Sequence, residues 1–259
     1  MLLGAHYRGF PFGNLPQDFK ALQIFIYSPT SQVKRKQIWS QQSAHDVSSL
    51  VDQYDLELFV HSTYAVNPAN QRRTHLESIL AQLDTCELLH AKGLVIHSGK
   101  SVRSNPGEAR KRMVEVLSEA TSYLASQSYQ TKLILETPAG QGTELGAKIE
   151  DLVAITAEVP DWSEHGAFCL DTAHLWGAGY DISPSLYDLF PPDQVALVHF
   201  NGSKEEQGSH IDRHADIGGK SNRIPLNDLL KFYRPDIPHI METKQDELSI
   251  DQQRQIILA

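Results

Sequence analysis

Six apolar segments of this 259-residue chain each end in a histidine or an acidic residue. These terminal residues, spaced 28 to 43 positions apart, are His61, His97, Glu136, Asp171, His199 and Glu242. Neutral imidazole and ionised carboxylate groups are the ligands that zinc and similar divalent ions take in proteins. Without a cation such a cluster is costly, because carboxylates repel one another and each unpaired buried charge is penalised. The pattern predicts a metal centre, provided that the fold brings the segment ends together.

Two short motifs add further candidate ligands. Asp171 and His174 form a D-x-x-H motif where one segment turns into its loop, and Asp212 and His214 form a D-x-H motif farther along. Either spacing alone is common in surface loops. With the segment ends, the candidates number nine: His61, His97, Glu136, Asp171, His174, His199, Asp212, His214 and Glu242. A catalytic zinc needs about three protein ligands, so nine predict two or three metal ions.

The elements that must position these residues alternate between strands and helices. Short apolar runs predict strands at 2–5, 22–26, 58–60, 94–96, 133–135, 168–170, 196–198 and 239–241. Helical periodicity predicts helices at 44–54, 74–90, 107–126, 147–157, 225–232 and 248–258, with a short one at 184–190. Such alternation predicts right-handed βα units and a parallel sheet. Eight units in this length favour an α/β fold, a (β/α)8 TIM barrel of typically about 250 residues.

A single domain over residues 1–259 is expected, because no linker rich in Pro, Gly or Ser divides the chain. An open doubly wound sheet is the alternative, but that fold usually carries a glycine-rich phosphate loop after its first strand, and this chain has none there. In a barrel the carboxyl ends of all strands meet at one mouth. His6 ends the first strand, and structural and functional roles are equally open for it. His210 and His239 neighbour candidate ligands and are interpreted as residues that orient them.

Composition and charge narrow the class of protein. With 41% hydrophobic residues the chain is neither collagen-like nor disordered. Its two cysteines, Cys86 and Cys169, lack CxxC spacing, which excludes a disulfide scaffold and indicates a reducing compartment. No apolar run approaches the roughly 20 residues that span a bilayer, and the N-terminus lacks the apolar region of a signal peptide. We therefore expect a cytoplasmic, intracellular protein that is not secreted and has no membrane partner.

The formal net charge of −9 excludes a basic footprint over the whole chain. Basic residues still cluster locally, at 34–36, 72–73 and 100–112. On charge alone, solvated helix faces are the simpler interpretation of these clusters.

The candidate ligands lie in longer motifs. These are Leu3-Gly-Ala-His6, His61-Ser-Thr-Tyr64, His97-Ser-Gly99, Glu136-Thr-Pro-Ala-Gly-Gln-Gly142, Leu170-Asp-Thr-Ala-His-Leu-Trp-Gly-Ala-Gly-Tyr-Asp181, His199-Phe-Asn-Gly-Ser-Lys204 and Asp212-Arg-His214. Together they resemble the endonuclease IV family of apurinic/apyrimidinic (AP) endonucleases, within the xylose isomerase-like TIM-barrel superfamily. The resemblance runs from the first predicted strand to the last, and it implies the same barrel.

The resemblance also implies a cofactor, three Zn²⁺ ions, with Mn²⁺ or Fe²⁺ as substitutes. The first ion would be held by His61, His97 and Glu136. Glu136 would bridge to the second ion, whose other ligands would be Asp171, His199 and Glu242. The third ion would be held by His174, Asp212 and His214. The implied catalytic residues are Glu136 and Glu242, the latter orienting or deprotonating the nucleophile.

The activity implied by the resemblance belongs to DNA base-excision repair. It is hydrolysis of the backbone 5′ to an abasic site, which leaves a 3′-hydroxyl and a 5′-deoxyribose phosphate, with 3′-repair diesterase activity beside it. The implied partner is double-stranded DNA containing abasic sites, bound by a monomer, and Tyr64 is the implied DNA-binding residue. The loop after the second strand departs from the family, since Ser28-Pro-Thr-Ser-Gln32 stands where the family reads Asn-Pro-Arg-Gln-Trp. The Arg and Gln wedges are therefore absent, unless the basic residues at 34–36 replace them.

Two other functions remain to be weighed. A sugar isomerase or epimerase on the same barrel usually has carboxylate-rich ligands for one or two ions, so five histidines among nine candidates argue against it. A nucleic-acid-binding module without catalysis is the other alternative. The clustered carboxylates argue against it, because burying them costs free energy and they would have no function there.

Overall fold

The computed structural model describes residues 2–7, 19–27 and 41–259. Eight strands close into a parallel barrel in the order β1-β10-β7-β6-β5-β4-β3-β2. They are β1 (Leu3–Tyr7), β2 (Ala21–Phe25), β3 (Glu57–His61), β4 (Gly93–His97), β5 (Lys132–Glu136), β6 (Gly166–Asp171), β7 (Val195–His199) and β10 (His239–Met241). A separate antiparallel ribbon joins β8 (Gly202–Ser203) to β9 (His214–Ala215). The predicted (β/α)8 TIM barrel is confirmed.

The helices surround the barrel close to their predicted positions. They are α1 (Gln41–Tyr54), α2 (Thr74–Leu88), α3 (Pro106–Gln127), α4 (Ile149–Thr156), α5 (Trp162–His165), α6 (Thr172–Gly177), α7 (Leu226–Phe232) and α8 (Ile250–Leu258), with a 3₁₀ helix at Pro184–Leu189. The sequence pattern does not predict α5, α6 or the ribbon, because elements this short show no periodicity. Within the described ranges, no helix has the length and apolar character needed to cross a bilayer.

The barrel interior is filled by an apolar layer. Its members are at most 1% exposed and are Ala21, Phe59, Val95, Ile134, Ala167, Cys169, Leu197 and Ile240. Side chains two residues apart on a strand point to the same face, so each inward row continues two positions later. Those next positions hold polar residues: Gln23, His61, His97, Glu136, Asp171, His199 and Glu242. The apolar layer therefore packs directly below a polar layer of side chains at the mouth of the barrel.

A buried carboxylate fastens two loops at this mouth. Asp216, which is 3% exposed, follows β9 and accepts three backbone hydrogen bonds from the loop after β10. Its Oδ1 accepts from the N–H of Gln245 (3.1 Å), and its Oδ2 accepts from the N–H groups of Glu247 (2.7 Å) and Leu248 (2.9 Å). Hydrogen bonds to an ionised acceptor are roughly twice as strong as neutral ones. Asp216 therefore holds the loop that follows Glu242 against the ribbon that carries His214.

We predict that Asp216→Asn lowers the free energy of unfolding by about 2–3 kcal/mol, because its amide cannot accept from all three N–H groups. Urea denaturation measures this. The matched control is Asp246→Asn, since this exposed carboxylate only pairs with Lys204 at the surface. The control should shift stability by less than about 1 kcal/mol. Equal losses in the two variants would contradict the role given to Asp216.

Candidate metal centre

The structure brings all nine predicted ligands together at the carboxyl end of the barrel. Six lie at the ends of barrel strands, while His174 lies on α6, Asp212 precedes the ribbon strand β9 and His214 begins it. Seven of them, all except Asp171 and His199, line a cavity of about 280 Å³, which Tyr64 and Lys100 also line. Burial increases with depth, from 40% exposure of the Asp212 side chain at the rim to 2% for Glu136.

Glu136 lies at the centre of the cluster and divides its two oxygens between separate groups. Its Oε2 lies 3.3 Å from His61 Nε2 and 3.2 Å from His97 Nε2. Its Oε1 lies 3.1 Å from His199 Nδ1 and 3.3 Å from His174 Nδ1. A carboxylate with one oxygen in each group has the geometry of a ligand that bridges two ions.

A second group shares Glu136 and contains Asp171, His199 and Glu242, with one potential ligand atom from each of the four residues within 4.8 Å of the others. His199 Nδ1 faces all three carboxylates, at 3.1 Å from Glu242 Oε2 and 3.8 Å from Asp171 Oδ2. Three carboxylates around one imidazole nitrogen concentrate negative charge at this point of the cluster. This point suits a divalent ion.

The third group explains the D-x-x-H motif. Asp171 is the N-cap of α6, and its Oδ1 accepts from the backbone N–H of His174 at 2.8 Å. This cap fixes His174 beside Asp171. His174 Nε2 then lies 3.3 Å from Asp212 Oδ2, and His214 Nε2 lies 3.1 Å from Asp212 Oδ1. Asp171, His174 and His214 also form a compact trio, so Asp171 borders the second and third groups.

Ligand spacing in these groups fits a metal ion. Four ligands placed tetrahedrally at the usual zinc distances of about 2.0–2.1 Å lie roughly 3.3–3.4 Å apart. The nitrogen–oxygen distances around Glu136 Oε2 and Asp212 are 3.1–3.3 Å. Moreover, Nε2 of His174 and of His214 are buried and make no hydrogen bond within the described part of the chain, although a carboxylate lies beside each. Misaligned, unbonded nitrogens against carboxylates are the arrangement that a shared cation would complete.

Hydrogen bonds on the far side of two rings set their tautomers. His61 Nδ1–H donates to the backbone oxygen of Ser62 (2.7 Å), and His174 Nδ1–H donates to that of Thr137 (2.9 Å). Each ring therefore carries its lone pair on Nε2, which faces the cluster. Metal-ligating histidines are commonly oriented in this way.

Charges within the cluster perturb one another. Burial raises the pKa of Glu136, but the imidazoles of His97 and His199 outweigh burial and hold this pKa well below its usual range. Burial lowers the pKa of His214, but the carboxylates of Asp171 and Asp212 outweigh it and raise this pKa to about 9. Glu136 therefore remains ionised, and the imidazole of His214 needs a proton or a metal ion to balance the carboxylates beside it.

Three buried polar residues support the cluster, and a search of the sequence for ligand-type residues misses all of them. Asn201 donates to Asp171 Oδ2 (2.8 Å) and accepts from the N–H of Glu242 (2.9 Å). Thr137 Oγ1 accepts from the N–H of Asp171 at 3.0 Å. Gln23 bonds to two of the nine candidates. Their sequence signal is weak: a polar residue just after a strand-end ligand, or a glutamine inside an apolar strand.

Three further histidines, His6, His210 and His239, lie at different places relative to the cluster. His6 reaches the mouth, with Nδ1 3.1 Å from Glu242 Oε1. The interpretation of His239 as a residue that orients a ligand is wrong. It begins β10 at the opposite end, donates from Nδ1 to the oxygen of Ile237, and burial lowers its pKa to about 4. His210 donates to the oxygen of Ala139 (3.1 Å), which links two loops.

The predicted DNA-binding residue, Tyr64, lies on the rim and is 59% exposed. Its ring stacks on His97 at a centroid distance of 5.6 Å and meets His61 edge-on at 5.9 Å. The altered loop at 28–32 and the basic residues at 34–36 lie outside the described residues.

Comparison with known proteins agrees with this geometry. The profile of the family described as xylose isomerase-like TIM barrel matches residues 18–255. The chain is 32% identical over 201 residues to a protein of Mycoplasmopsis synoviae (strain 53) named probable endonuclease 4, an alignment that covers 72% of this chain and 69% of that relative.

Solved structures show the same fold. Endonuclease IV from Thermus thermophilus superposes with a TM-score of 0.75 and 24% identity, over 100% of this chain and 97% of that one. A D-tagatose 3-epimerase-like protein superposes with a TM-score of 0.72 and 20% identity, over 99% and 94% of the two chains. At these identities the structures support the barrel alone, and the family rests on the sequence matches. By those matches, the chain belongs to the xylose isomerase-like TIM-barrel family and, within it, to the endonuclease 4 family.

Proposed function

We propose that this protein is a metal-dependent endonuclease of DNA base-excision repair. It hydrolyses the backbone 5′ to an abasic site, leaves a 3′-hydroxyl and a 5′-deoxyribose phosphate, and removes 3′-blocking groups as a second activity. The similarity to proteins named endonuclease 4 supports the reaction class. The observation that carries the proposal is Glu136, whose two oxygens face separate imidazole groups and so suit a carboxylate bridge between metal ions.

The proposed cofactor is zinc, at three positions. The first is held by His61, His97 and Glu136. The second is held by Glu136, Asp171, His199 and Glu242. The third is held by His174, Asp212 and His214. The nine residues include five imidazoles, and such a mixture of imidazole and carboxylate ligands suits zinc, with Mn²⁺ or Fe²⁺ as substitutes. Bound ions supply charge neutralisation at the phosphoryl oxygens, orient the substrate and acidify water.

Two glutamates have catalytic roles in this proposal. Glu136 is 2% exposed and holds the cluster together from below, so it fixes the distance between the first two positions. Glu242 lines the cavity and is 14% exposed, which leaves it accessible to a water molecule. Burial raises the pKa of Glu242, but His199 and His6 outweigh burial and hold this pKa below its usual range. The carboxylate therefore stays ionised and can orient the attacking water by accepting a hydrogen bond from it.

Rim residues are proposed to recognise the DNA. Tyr64 presents an exposed ring beside His97, where it can stack on a base or in the gap that an abasic nucleotide leaves. Lys100 lines the same cavity and is pinned at both backbone groups by Asn67, whose Nδ2 donates to its oxygen and whose Oδ1 accepts from its N–H. Its Nζ lies 3.1 Å from Glu144 Oε1, and we propose that it exchanges this partner for a backbone phosphate when DNA binds. The proposed partner is abasic duplex DNA, bound by a monomer inside the cell.

The direct test uses a duplex with one tetrahydrofuran abasic analogue and an identical undamaged duplex. We expect cleavage of the first alone, on the 5′ side of the analogue, by protein that carries two to three metal ions per chain by mass spectrometry. An intact abasic duplex would refute the proposal. Turnover of a free ketohexose with no DNA cleavage would favour the epimerase alternative, and DNA binding by metal-loaded protein without cleavage would favour a binding module.

Glu136→Gln should lower kcat on the abasic duplex at least about 1,000-fold, a loss of about 4 kcal/mol in transition-state stabilisation. The amide cannot offer an anionic oxygen to each of two ions, so the metal count should fall as well. Single-turnover cleavage and mass spectrometry measure the two effects. Glu57→Gln makes the same change at the opposite end of β3, and it should leave both quantities unchanged. A fully active Glu136→Gln protein would remove Glu136 from the mechanism.

Lys100→Gln should weaken binding to abasic DNA and reduce the salt dependence of binding, with a slope smaller by about 1 in a plot of log K against log[salt]. One phosphate contact is lost in this variant, while cleavage of saturating substrate persists. Titration by fluorescence anisotropy at several salt concentrations measures the slope. Lys111→Gln is the control, because Lys111 also pairs with a glutamate, Glu115, but lies on α3 and does not line the cavity. An unchanged slope in Lys100→Gln would place the phosphate contacts elsewhere.

A further inference from the structure

Gln23 is a polar residue in the middle of an apolar strand, between Leu22 and Ile24. Its side chain is fully buried and belongs to the polar layer at the mouth, two positions after the inward-facing Ala21. A buried amide is costly unless both of its ends are hydrogen-bonded. The partners of this amide therefore indicate why a glutamine occupies the position.

Both ends of the Gln23 amide contact candidate ligands. Its Oε1 lies 2.9 Å from His199 Nε2, and its Nε2 donates to Glu242 Oε1 at 2.6 Å. The amide orientation follows from these partners, because the reversed amide would place its oxygen against the carboxylate. With Oε1 as the acceptor, the proton of His199 lies on Nε2. The lone pair of His199 is then on Nδ1, which faces the carboxylates of Glu136 and Glu242 at 3.1 Å each.

His6 completes the network from the first strand. Its Nδ1 lies 2.7 Å from Gln23 Nε2 and 3.1 Å from Glu242 Oε1. β1 and β2 pair in a register that places His6 directly beside Gln23. The first two strands contribute none of the nine predicted ligands, but each places a side chain against Glu242.

We propose that Gln23 is a positioning residue for the second metal position, the one held by Glu136, Asp171, His199 and Glu242. It selects the tautomer of His199 that presents Nδ1 to the metal, and it holds Glu242 at the correct distance by one charge-assisted hydrogen bond. This inference rests on the proposed function, because it takes the nine residues to be metal ligands.

The effect of losing Gln23 should be confined to the second metal position, because His61 and His174 are oriented by different partners. His61 and His174 donate to backbone oxygens, of Ser62 and Thr137, which no side-chain substitution removes. His199 instead depends on the side chain of Gln23. Loss of the Gln23 amide should therefore weaken the second position and leave the first and third close to wild type.

The test is Gln23→Met, which keeps the length of the side chain and removes both polar groups. Metal-free wild-type and variant proteins are titrated with Zn²⁺ in competition with a chelator. We expect one of three equivalents to lose about 10–100-fold in affinity, the usual effect of removing a residue that orients a metal ligand. Titration with Co²⁺ should show a matching change in the visible absorption of one equivalent, which reports ligand geometry independently of catalysis.

Two further variants separate positioning from a general loss of stability. Gln82→Met replaces another fully buried glutamine, which lies on α2 and donates to the Ser62 hydroxyl and to the backbone oxygen of Ser78. It contacts none of the nine candidate side chains by a hydrogen bond within the described residues, so it should keep all three equivalents. In Gln23→Glu, a protonated carboxyl group restores an oxygen for His199 and a donor for Glu242. The Zn²⁺ affinity of the second position in this variant should therefore lie between those of wild type and Gln23→Met. If Gln23→Met does not fold, Gln23→Glu carries the comparison with wild type.

Wild-type affinities at all three equivalents in Gln23→Met, or equal weakening of all three, would overturn the inference. In the absence of a folded Gln23→Met protein, Gln23→Glu with wild-type affinities would overturn it as well. A wild-type protein that binds no metal at all would instead refute the proposed function. The two failures are therefore distinguishable.

Discussion

Electrostatic balance inside a narrow mouth is the constraint on which the rest of this structure depends. Glu136 and Asp171 are almost completely buried, yet each lies within contact distance of several imidazoles. Buried carboxylates at this density are tolerated only when positive charge is shared among them. Closure of the barrel makes this crowding of charged side chains unavoidable, because the inward-facing side chains of every strand point at the same axis.

Rigidity of the surroundings follows from the same constraint. Side chains that are proposed to share ions would lose them if they drifted by more than a fraction of an ångström. The chain meets this need from several directions: the N-cap of α6 places His174, Asn201 ties Asp171 to the backbone of Glu242, and Asp216 fastens the loop behind it. Most of these supports are buried hydrogen bonds to charged acceptors, which are among the stronger ones in proteins.

The sequence predicts the barrel and the composition of its mouth because both follow from periodic features. Apolar runs repeat at the length of a βα unit, and the residue that ends each run is visible without a structure. The supporting residues are harder to predict. Gln23 lies in the centre of β2, and it belongs to the mouth only because strands in a closed barrel are staggered. His239 illustrates the converse, since it is three residues from Glu242 in sequence but at the other end of the strand.

The apolar layer beneath the polar one limits how water, ions and ligands reach the centre of the barrel. Phe59, Ile134 and Leu197 are packed with almost no exposed surface, so neither water nor ions can pass through the barrel axis from below. Among the described residues, the centre is reached through the opening bordered by Tyr64 and Lys100. A large ligand seated across that opening seals in whatever is already inside, so ion exchange and ligand release become a shared event.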